Sequence, residues 1–315
     1  MDRPIVIGLS AVVVAVRDGQ AVVLTVQPAD QPVGLPFGSF DPDGDRTFEL
    51  ALRAFVTAQT RFELGYVEQL YTFGDKGRDA PVAVLETGSG AARVISVGYL
   101  GLTPHAVDTH APDSAWADWL RFFPWEDWRE GRPAALTAIE PALRKWAVRD
   151  RLPRTRLLFA LDSAPWNEER VMERYELLYE AGLAPEAARD RGERPDPAVA
   201  ALGPALGEPM ISDHRRILAT ALSRLRGKLK YRPVIFEVTP DEFTLSALQR
   251  AVEAVAGISL HKQNFRRALE RAELVEGLGR LDQETGGRPA ELFRFRREIL
   301  GARPVSGLSL PLLRD

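Results

Sequence analysis

The sequence predicts an α+β protein of several domains, and three observations support this. The chain has 315 residues, a length that is usually divided into two or three domains, and 45% of them are hydrophobic, which is enough for a sizeable core. Its first third is rich in β-forming runs, its middle third holds all six tryptophans, and its last third alternates helical patterns with short strands. We divide the chain where the composition changes, into segments 1–104, 105–214 and 215–315.

The first segment predicts strands and turns around one helix. Ile5–Val16 and Ala21–Gln27 are β-rich runs joined by an Asp-Gly hairpin signal at Asp18-Gly19, and Arg93–Leu102 is a further strand-like run. Thr47–Thr60 has apolar residues at helical spacing, at positions 48, 51, 52, 55 and 58. Asp45 or Thr47 is available to cap this helix.

The loop and helix of this segment resemble a Nudix box. The stretch from Leu35 through Gly38 and Asp45 to Arg53 is similar to its pattern, which is G, five residues, E, seven residues, then REUxEExGU, with U a bulky aliphatic residue. In active members, the glutamates of the helix hold magnesium ions that neutralise a bound pyrophosphate and help to activate water. The resemblance implies a Nudix-like α/β/α sandwich for the first segment.

This sequence departs from the pattern at the metal ligands. Ala54, Thr57 and Ala58 stand where the pattern has its three metal-binding glutamates, Thr60 replaces the glycine, and Asp45 follows one extra residue in place of the first glutamate. Carboxylates are the ligands that a hard cation requires. We therefore expect no Nudix hydrolysis, no catalytic residue, no metal and no cofactor.

A second resemblance covers the end of the first segment. Glu68–Asp75, Gly77-Arg78-Asp79 and Arg93–Val97 are similar to a stretch typical of the Nudix-related transcriptional regulators, which are bacterial repressors of NAD metabolism genes. In that family a Nudix-like domain binds ADP-ribose or a related nucleotide, and a C-terminal winged helix binds DNA. The insert after residue 104 resembles the longer forms of NAD regulators in alphaproteobacteria.

A nucleotide effector site is predicted in the first segment. The cationic side chains of its loop and helix are able to hold a diphosphate through charge-assisted hydrogen bonds without a metal. The alternative is that Arg53 pairs with Glu49 along the helix and that the loop charges are only solvated. The predicted effector-binding residues are Gly38, Arg53, Lys76 and Arg78.

The middle segment is predicted to be mostly helical. It contains Trp116, Trp119, Trp125 and Trp128, which predict either a core or a dimer or interdomain surface, since tryptophan serves in both. Glu168–Ala181 has the spacing of a helix. Residues 186–209, rich in Ala, Pro, Gly and charge, predict a mobile loop or linker.

The last segment predicts a winged helix-turn-helix. Arg216–Lys230 has helical spacing, Val234–Val238 is a short strand-like run, and Thr244 caps a second helix that ends at Ala256. A turn then leads into the basic helix His261–Ala272, followed by a hairpin with strands 274–278 and 291–295 around a polar tip. Helix, strand, helix, turn, basic helix and hairpin is the order of a winged helix-turn-helix.

The charge distribution singles out this segment, which either meets a polyanion or carries an excess of arginine on a solvated surface. Residues 1–104 carry 8 basic and 12 acidic side chains, residues 105–214 carry 14 and 20, and residues 215–300 carry 17 and 11. A basic helix of this kind places its exposed side chains in the major groove, where they distinguish bases. The predicted DNA-binding residues are Lys262, Gln263, Asn264, Arg266, Arg267 and Arg271 of the helix and Arg288 of the hairpin tip.

Taken with the resemblance, these features predict a cytoplasmic, dimeric repressor that binds double-stranded operator DNA, senses a nucleotide and has no membrane segment. The absence of cysteine excludes disulfides, thiolate nucleophiles and zinc fingers, and four scattered histidines make a His-based metal site improbable. Two alternatives remain open. One is a Nudix-type ADP-sugar or dinucleotide pyrophosphatase with an accessory domain, and the other is a ligand-sensing protein whose winged helix contacts only proteins.

Overall fold

A computed structural model describes residues 5–75, 93–107, 109, 111–282 and 289–298. Its strands are β1 (Ile5–Arg17), β2 (Gln20–Val26), β3 (Phe37–Ser39), β4 (Tyr66–Phe73), β5 (Arg93–Leu102), β6 (Ser114–Asp118), β7 (Glu242–Thr244), β8 (Val275–Asp282) and β9 (Ala290–Phe295). Its helices are α1 (Phe48–Thr60), α2 (Ala134–Trp146), α3 (Arg151–Leu158), α4 (Val171–Glu180), α5 (Pro185–Arg191), α6 (Pro197–Ala200), α7 (His214–Tyr231), α8 (Leu245–Ala256) and α9 (Lys262–Ala272).

The first sheet has the strand order β4-β5-β1-β2-β6, and β3 also pairs with β1. Strands β1 and β5 run parallel, and the other pairs are antiparallel. The predicted hairpin is confirmed: Asp18 and Gly19, at φ 53° and 73°, join β1 to β2. Positive φ at both central residues is the two-residue turn whose twist matches that of the flanking strands, which is why Asp-Gly signals it.

Both faces of this sheet are covered, as the predicted α/β/α sandwich requires. On one face, Ala11 and Val13 of β1 share a core with Leu52 and Val56 of α1. On the other face, Val12 belongs to the core that contains α7 and α8. Successive residues of β1 face opposite sides of the sheet because side chains alternate along a strand with a period of two.

Helix α1 begins where the sequence predicts. Thr47 is its N-cap, and its hydroxyl accepts a hydrogen bond from the N–H of Leu50 at 3.2 Å. Asp45, the other candidate cap, accepts from the N–H of Asp41 instead. The buried face of the helix includes Val56, which the predicted stripe omitted, whereas Ala58 is exposed.

The first sheet continues beyond residue 104, because its edge strand is β6, paired with β2. Trp116 lies on this strand and packs edge-on against Phe62, with ring centroids 5.8 Å apart. Trp119 and Trp125 follow, at 0% and 1% exposure. These tryptophans therefore belong to the core, as the first of the two readings predicted.

The middle segment is mostly helical, as predicted, and α4 lies within the predicted helix Glu168–Ala181. Residues 186–209, predicted as a mobile loop or linker, contain helical turns and not a continuous loop, and their mobility stays a prediction. This stretch includes most of α5, all of α6 and a 3₁₀ turn at Gly203–Leu206. It is held because Glu186, 1% exposed, accepts a hydrogen bond from the buried Arg215 at 3.2 Å.

Helix α7 lies at the centre of the fold and confirms the predicted helix Arg216–Lys230. It contacts β1, β4, β5, α4 and α8. Its apolar side chains, including Leu218, Leu222, Leu225 and Leu229, are 1% exposed or less. One core therefore joins the first sheet, the middle helices and the C-terminal segment.

The C-terminal segment has the predicted order with one correction. Val234–Val238 is a 3₁₀ turn and not a strand; it follows Pro233 and buries Val234, Ile235, Phe236 and Val238 without a strand partner. The segment's three-stranded sheet, β7-β9-β8, instead gains β7 at Glu242–Thr244. Thr244 caps α8 as predicted, its hydroxyl accepting from the N–H of Ala247 at 3.1 Å.

Within the described ranges, no helix is long and apolar enough to cross a membrane.

Candidate functional site

Helix α9 exposes the face that the sequence predicted for DNA. Phe265, Ala268 and Leu269 point into the core at 1%, 6% and 1% exposure. Their spacing of three and four residues defines one face of the helix and leaves the opposite face to solvent. The exposed residues of the helix are Lys262, Gln263, Asn264, Arg266, Arg267 and Arg271, all predicted for DNA, together with the acidic Glu270.

The cations of α9 are not neutralised by nearby carboxylates. No described acidic group forms an ion pair with Lys262, Arg266 or Arg267. The strands next to the helix behave differently, since each of their basic side chains is paired. These pairs are Arg280–Glu242, Arg294–Glu276, Arg296–Glu298 and Arg297–Asp241. Among the described residues, α9 therefore groups several cations that form no ion pair on one exposed face, where a polyanion is able to reach them.

The turn before α9 is fixed by α8. Glu253 accepts hydrogen bonds from the N–H of Leu260 at 2.8 Å and from the amide of Gln249 at 2.9 Å, and Gln249 in turn donates to the carbonyl of Leu260. Gly257 ends α8 with φ at 70°, the left-handed conformation that glycine adopts without strain. These contacts hold α9 at one angle to α8, which a recognition helix requires. Arg288, the predicted contact at the hairpin tip, lies outside the described residues.

In the predicted effector site, Gly38 has a packing role. A Cβ at this position would lie 2.9 Å from the ring of Phe55 on α1, so only glycine allows the approach. The neighbouring Phe37 is fixed to the same helix by Gln59, which accepts from its N–H at 3.1 Å and donates to its carbonyl. These contacts hold the loop against α1.

Arg53 connects α1 with the chain that follows it. Its guanidinium donates to Glu49 at 2.9 Å, to the carbonyl of Leu64 and to the carbonyl of Gly65 at 3.0 Å. The pairing with Glu49, which was the alternative reading, is therefore present. A role of Arg53 in nucleotide binding stays a prediction. Lys76 and Arg78, its predicted companions, lie outside the described residues.

The positions of the missing glutamates lie on the outer face of α1. Ala54, Thr57 and Ala58 are all exposed, so carboxylates at these positions would reach solvent. The helix retains only Glu49, which is bound to Arg53. Among the described residues, no three acidic or histidine side chains are grouped to hold a metal ion.

His214 joins this site to α7, a contact that the sequence did not predict. Its Nδ1 accepts a hydrogen bond from the N–H of Leu35, and its ring packs edge-on against Phe37. Burial, helped by the charge of Arg189, lowers the pKa of His214 to about 3. The imidazole is therefore neutral, which leaves Nδ1 free to accept.

The sequence also did not predict a cluster of buried charges formed by Glu126, Arg174 on α4 and Arg226 on α7. Glu126 accepts from Arg174 at 2.5 and 2.8 Å and from Arg226 at 2.7 Å, and the side chains of all three are 0% exposed. They lie 48 and 52 residues apart along the chain, so no local pattern indicates the pairing.

Comparison with known proteins identifies the C-terminal domain and the overall fold. Residues 235–295 match the family model of the NrtR DNA-binding winged helix domain, which confirms the predicted winged helix. No curated protein is a significant match to the sequence. The chain is similar to the crystal structure of Shewanella oneidensis NrtR, with 19% identity, a TM-score of 0.54, and 97% of this chain and 98% of that chain covered.

The same Shewanella protein complexed with a 27mer DNA gives a TM-score of 0.51 at 20% identity, covering 92% of this chain and 93% of that chain. The NUDIX domain of Shewanella NrtR complexed with ADP ribose matches 38% of this chain and 74% of that chain, at 24% identity and a TM-score of 0.30. The chain therefore has the predicted fold, a Nudix-like domain followed by a C-terminal winged helix.

Proposed function

We propose that this chain is a dimeric transcriptional regulator, a repressor of genes of NAD cofactor metabolism, which binds operator DNA through α9. The observation that carries the proposal is the exposed face of α9, with cations that have no described carboxylate partner, inside a domain that matches a DNA-binding winged helix family. Its side chains include arginine, lysine, glutamine and asparagine, which have the donors and acceptors that read base edges in the major groove.

The Nudix-like domain is proposed to sense ADP-ribose or a related diphosphate nucleotide. Shewanella NrtR, whose fold this chain shares over nearly its whole length, was crystallised with DNA, and its NUDIX domain with ADP ribose. We further propose that the domain binds this ligand without hydrolysing it, because the positions of the three box glutamates hold Ala54, Thr57 and Ala58.

Two winged helices in a dimer explain how a bound nucleotide is able to control DNA binding. The two recognition helices must meet half-sites about 34–36 Å apart, one turn of DNA. A small rotation of the domains changes this separation and removes one helix from its groove. The effector needs to change only the geometry of the dimer, and no chemical step is required.

Footprinting on genomic DNA tests the proposal. The purified chain is expected to protect discrete sites with two related halves, to lose affinity steeply as salt rises, and to change its affinity when ADP-ribose is added. A matched variant, Arg266→Ala, is expected to lose the protection, while Arg280→Ala, in a paired position on β8, retains it. No protection at any salt concentration would leave only protein partners for the winged helix and would overturn the proposal.

A further inference from the structure

We propose that Arg129 is a positioning residue that fixes the orientation of the recognition helix relative to the first sheet. It belongs to a short stretch, the linking segment, which we define as residues 126–129. The consequence for DNA rests on the proposed function. The mechanical connection itself does not, because it is a property of the fold.

The linking segment is bonded to the turn that precedes α9. The N–H of Trp128 donates to the carbonyl of Gly257 at 2.7 Å, and the hydroxyl of Ser259 donates to the carbonyl of Arg129. Trp128 also forms an isolated parallel bridge with Ile258. Because the turn runs directly into α9, a displacement of the linking segment displaces the start of the recognition helix.

The side chain of Arg129 reaches in the other direction, to the hairpin between β1 and β2. Its guanidinium donates to the side-chain oxygen of Gln20 at 2.8 Å and to the carbonyl of Gly19 at 3.3 Å. These partners are 109 and 110 residues away in sequence. The hairpin belongs to the sheet that carries β3 and the predicted nucleotide loop, so the bond joins that sheet to the helix-turn-helix.

Asp127 holds the guanidinium in this orientation. Its two carboxylate oxygens accept from Nε and Nη2 of Arg129 at 2.8 and 2.9 Å. Partial burial raises the pKa of Asp127, but the hydrogen bond and charge of Arg129 lower it by more, so the pKa lies below its usual value and the carboxylate is ionised. A planar guanidinium fork is able to bind the carboxylate and the hairpin together, which a lysine ammonium would not do with the same geometry.

The linking segment is also held by the buried ion pairs of Glu126 with Arg174 and Arg226. Glu126 is held by Arg174 and Arg226, and Arg226 also donates to the carbonyl of Val255 near the end of α8 at 3.0 Å. A Cβ at Gly257 would lie 2.5 Å from the guanidinium of Arg226 and from the carbonyl of Glu126. The segment therefore moves together with α8 and the turn. Helix α8 packs directly on β1 and β2, and the bonds of Arg129 add a polar connection from this unit to the hairpin.

A distance measurement between the two units tests the connection without DNA or nucleotide. The chain has no cysteine, so Ala29→Cys and Glu270→Cys, both at exposed positions, provide two unique sites for spin labels. Pulsed electron resonance is expected to give one narrow distance peak for this labelled chain. Adding Arg129→Ala should broaden the peak.

Arg144→Ala is the matched control, because Arg144 is likewise held by ion pairs, with Glu140 and Asp162, but contacts neither the hairpin nor the turn. It should leave the peak unchanged. If Arg129→Ala does not fold, Gln20→Ala decides the question by removing one acceptor on the hairpin. A peak of wild-type width in the folded variant would overturn the proposal.

The functional consequence is a weaker response to the effector. The duplex is one that the wild-type chain selects from a random pool, and the measured quantity is the ratio of its DNA dissociation constants with and without ADP-ribose. In the Arg129→Ala variant, this ratio should lie closer to one, by about threefold or more. The affinity for ADP-ribose itself should stay unchanged. An unaltered ratio in this variant contradicts the linkage; a wild-type chain that binds neither ligand contradicts the proposed function instead, while the distance measurement still decides the linkage.

Discussion

The backbone N–H of Leu35 donates to Nδ1 of His214 at 3.0 Å, across 179 residues of sequence. This bond requires a neutral imidazole, because a protonated ring has no acceptor. Since the folded pKa is about 3 and the unfolded value is about 6.5, the unfolded chain binds the proton first as the pH falls. The contribution to stability is therefore complete above pH 6.5 and is lost progressively as the pH falls toward 3.

The free energy of unfolding is expected to fall by about 2 kcal/mol between pH 7 and pH 5 from this residue alone. Urea denaturation at the two pH values measures it, with His214→Asn as the comparison, since asparagine keeps an acceptor and does not titrate. Equal pH dependence in the two proteins would show that the fold does not lower the pKa of His214.

Removing the charge of Glu126 should destabilise the fold strongly. Glu126→Gln leaves Arg174 and Arg226 buried without their common counter-ion, and a loss of about 3–5 kcal/mol is expected. Glu140→Gln removes a carboxylate that also binds two arginines but is partly exposed, and should cost about 1 kcal/mol or less. Similar urea midpoints for the two variants would contradict the claim that the buried carboxylate stabilises the fold more than the partly exposed one.

Arg53 and Arg78 are predicted to hold the diphosphate of the nucleotide. Arg53→Ala and Arg78→Ala should each weaken ADP-ribose binding by about 1.5–3 kcal/mol, as expected for a hydrogen bond to a charged group, without changing DNA affinity in the absence of ligand. Calorimetry measures the binding, and Arg46→Ala, at an exposed position before α1, is the control. Wild-type affinity in both variants would move the effector site elsewhere.

The chain is expected not to hydrolyse ADP-ribose with magnesium. Ala54, Thr57 and Ala58 offer no carboxylate to the ion. An assay that separates ADP-ribose from its products, run beside an active Nudix hydrolase, tests this. Turnover of about one per second or faster, which is typical of enzymes, would favour the pyrophosphatase alternative.

In the C-terminal domain, substitutions of residues that read bases should have different effects from substitutions of residues that contact phosphates. Lys262, Gln263 and Arg266 lie in the first turns of α9, the part that usually enters the groove. Alanine at whichever of them reads a base should cost about 1–3 kcal/mol on the operator and relax the preference at one base pair.

Arg288→Ala should instead weaken specific and scrambled duplexes together and lower the salt slope by about 1. Affinities for both duplexes across a salt series distinguish the two effects. If none of the four substitutions changed either affinity, this helix and hairpin would not be the DNA-binding surface.

Local patterns predicted what local physics determines. The exposed face of α9 followed from the spacing of Phe265 and Leu269, and the hairpin followed from Asp18-Gly19, because each depends on residues within a few positions. The cap at Thr244 belongs to the same class. These features needed no knowledge of distant contacts.

Features that depend on distant partners were missed. Strand β6 is defined by its pairing with β2, and its five residues, with Trp116 between two alanines, do not alternate clearly between polar and apolar. Val234–Val238 has the composition of a strand, but it has no strand to pair with and takes a tighter turn. The contacts of Arg129 and His214 cross more than 100 residues, so nothing near them in sequence indicates their roles.

Strand β1 pairs in parallel with β5 and shares a core with α7, so it cannot reach its folded position until these later segments have been synthesised. Strand β1 leaves the ribosome first, but its partner β5 begins at Arg93 and the helix that covers Val12 and Val14 begins at His214. At 5–20 residues per second this apolar face waits roughly 10 to 40 seconds for its cover. The nascent chain therefore exposes an apolar surface during most of its translation, and we expect its yield in a cell to rise with chaperone supply.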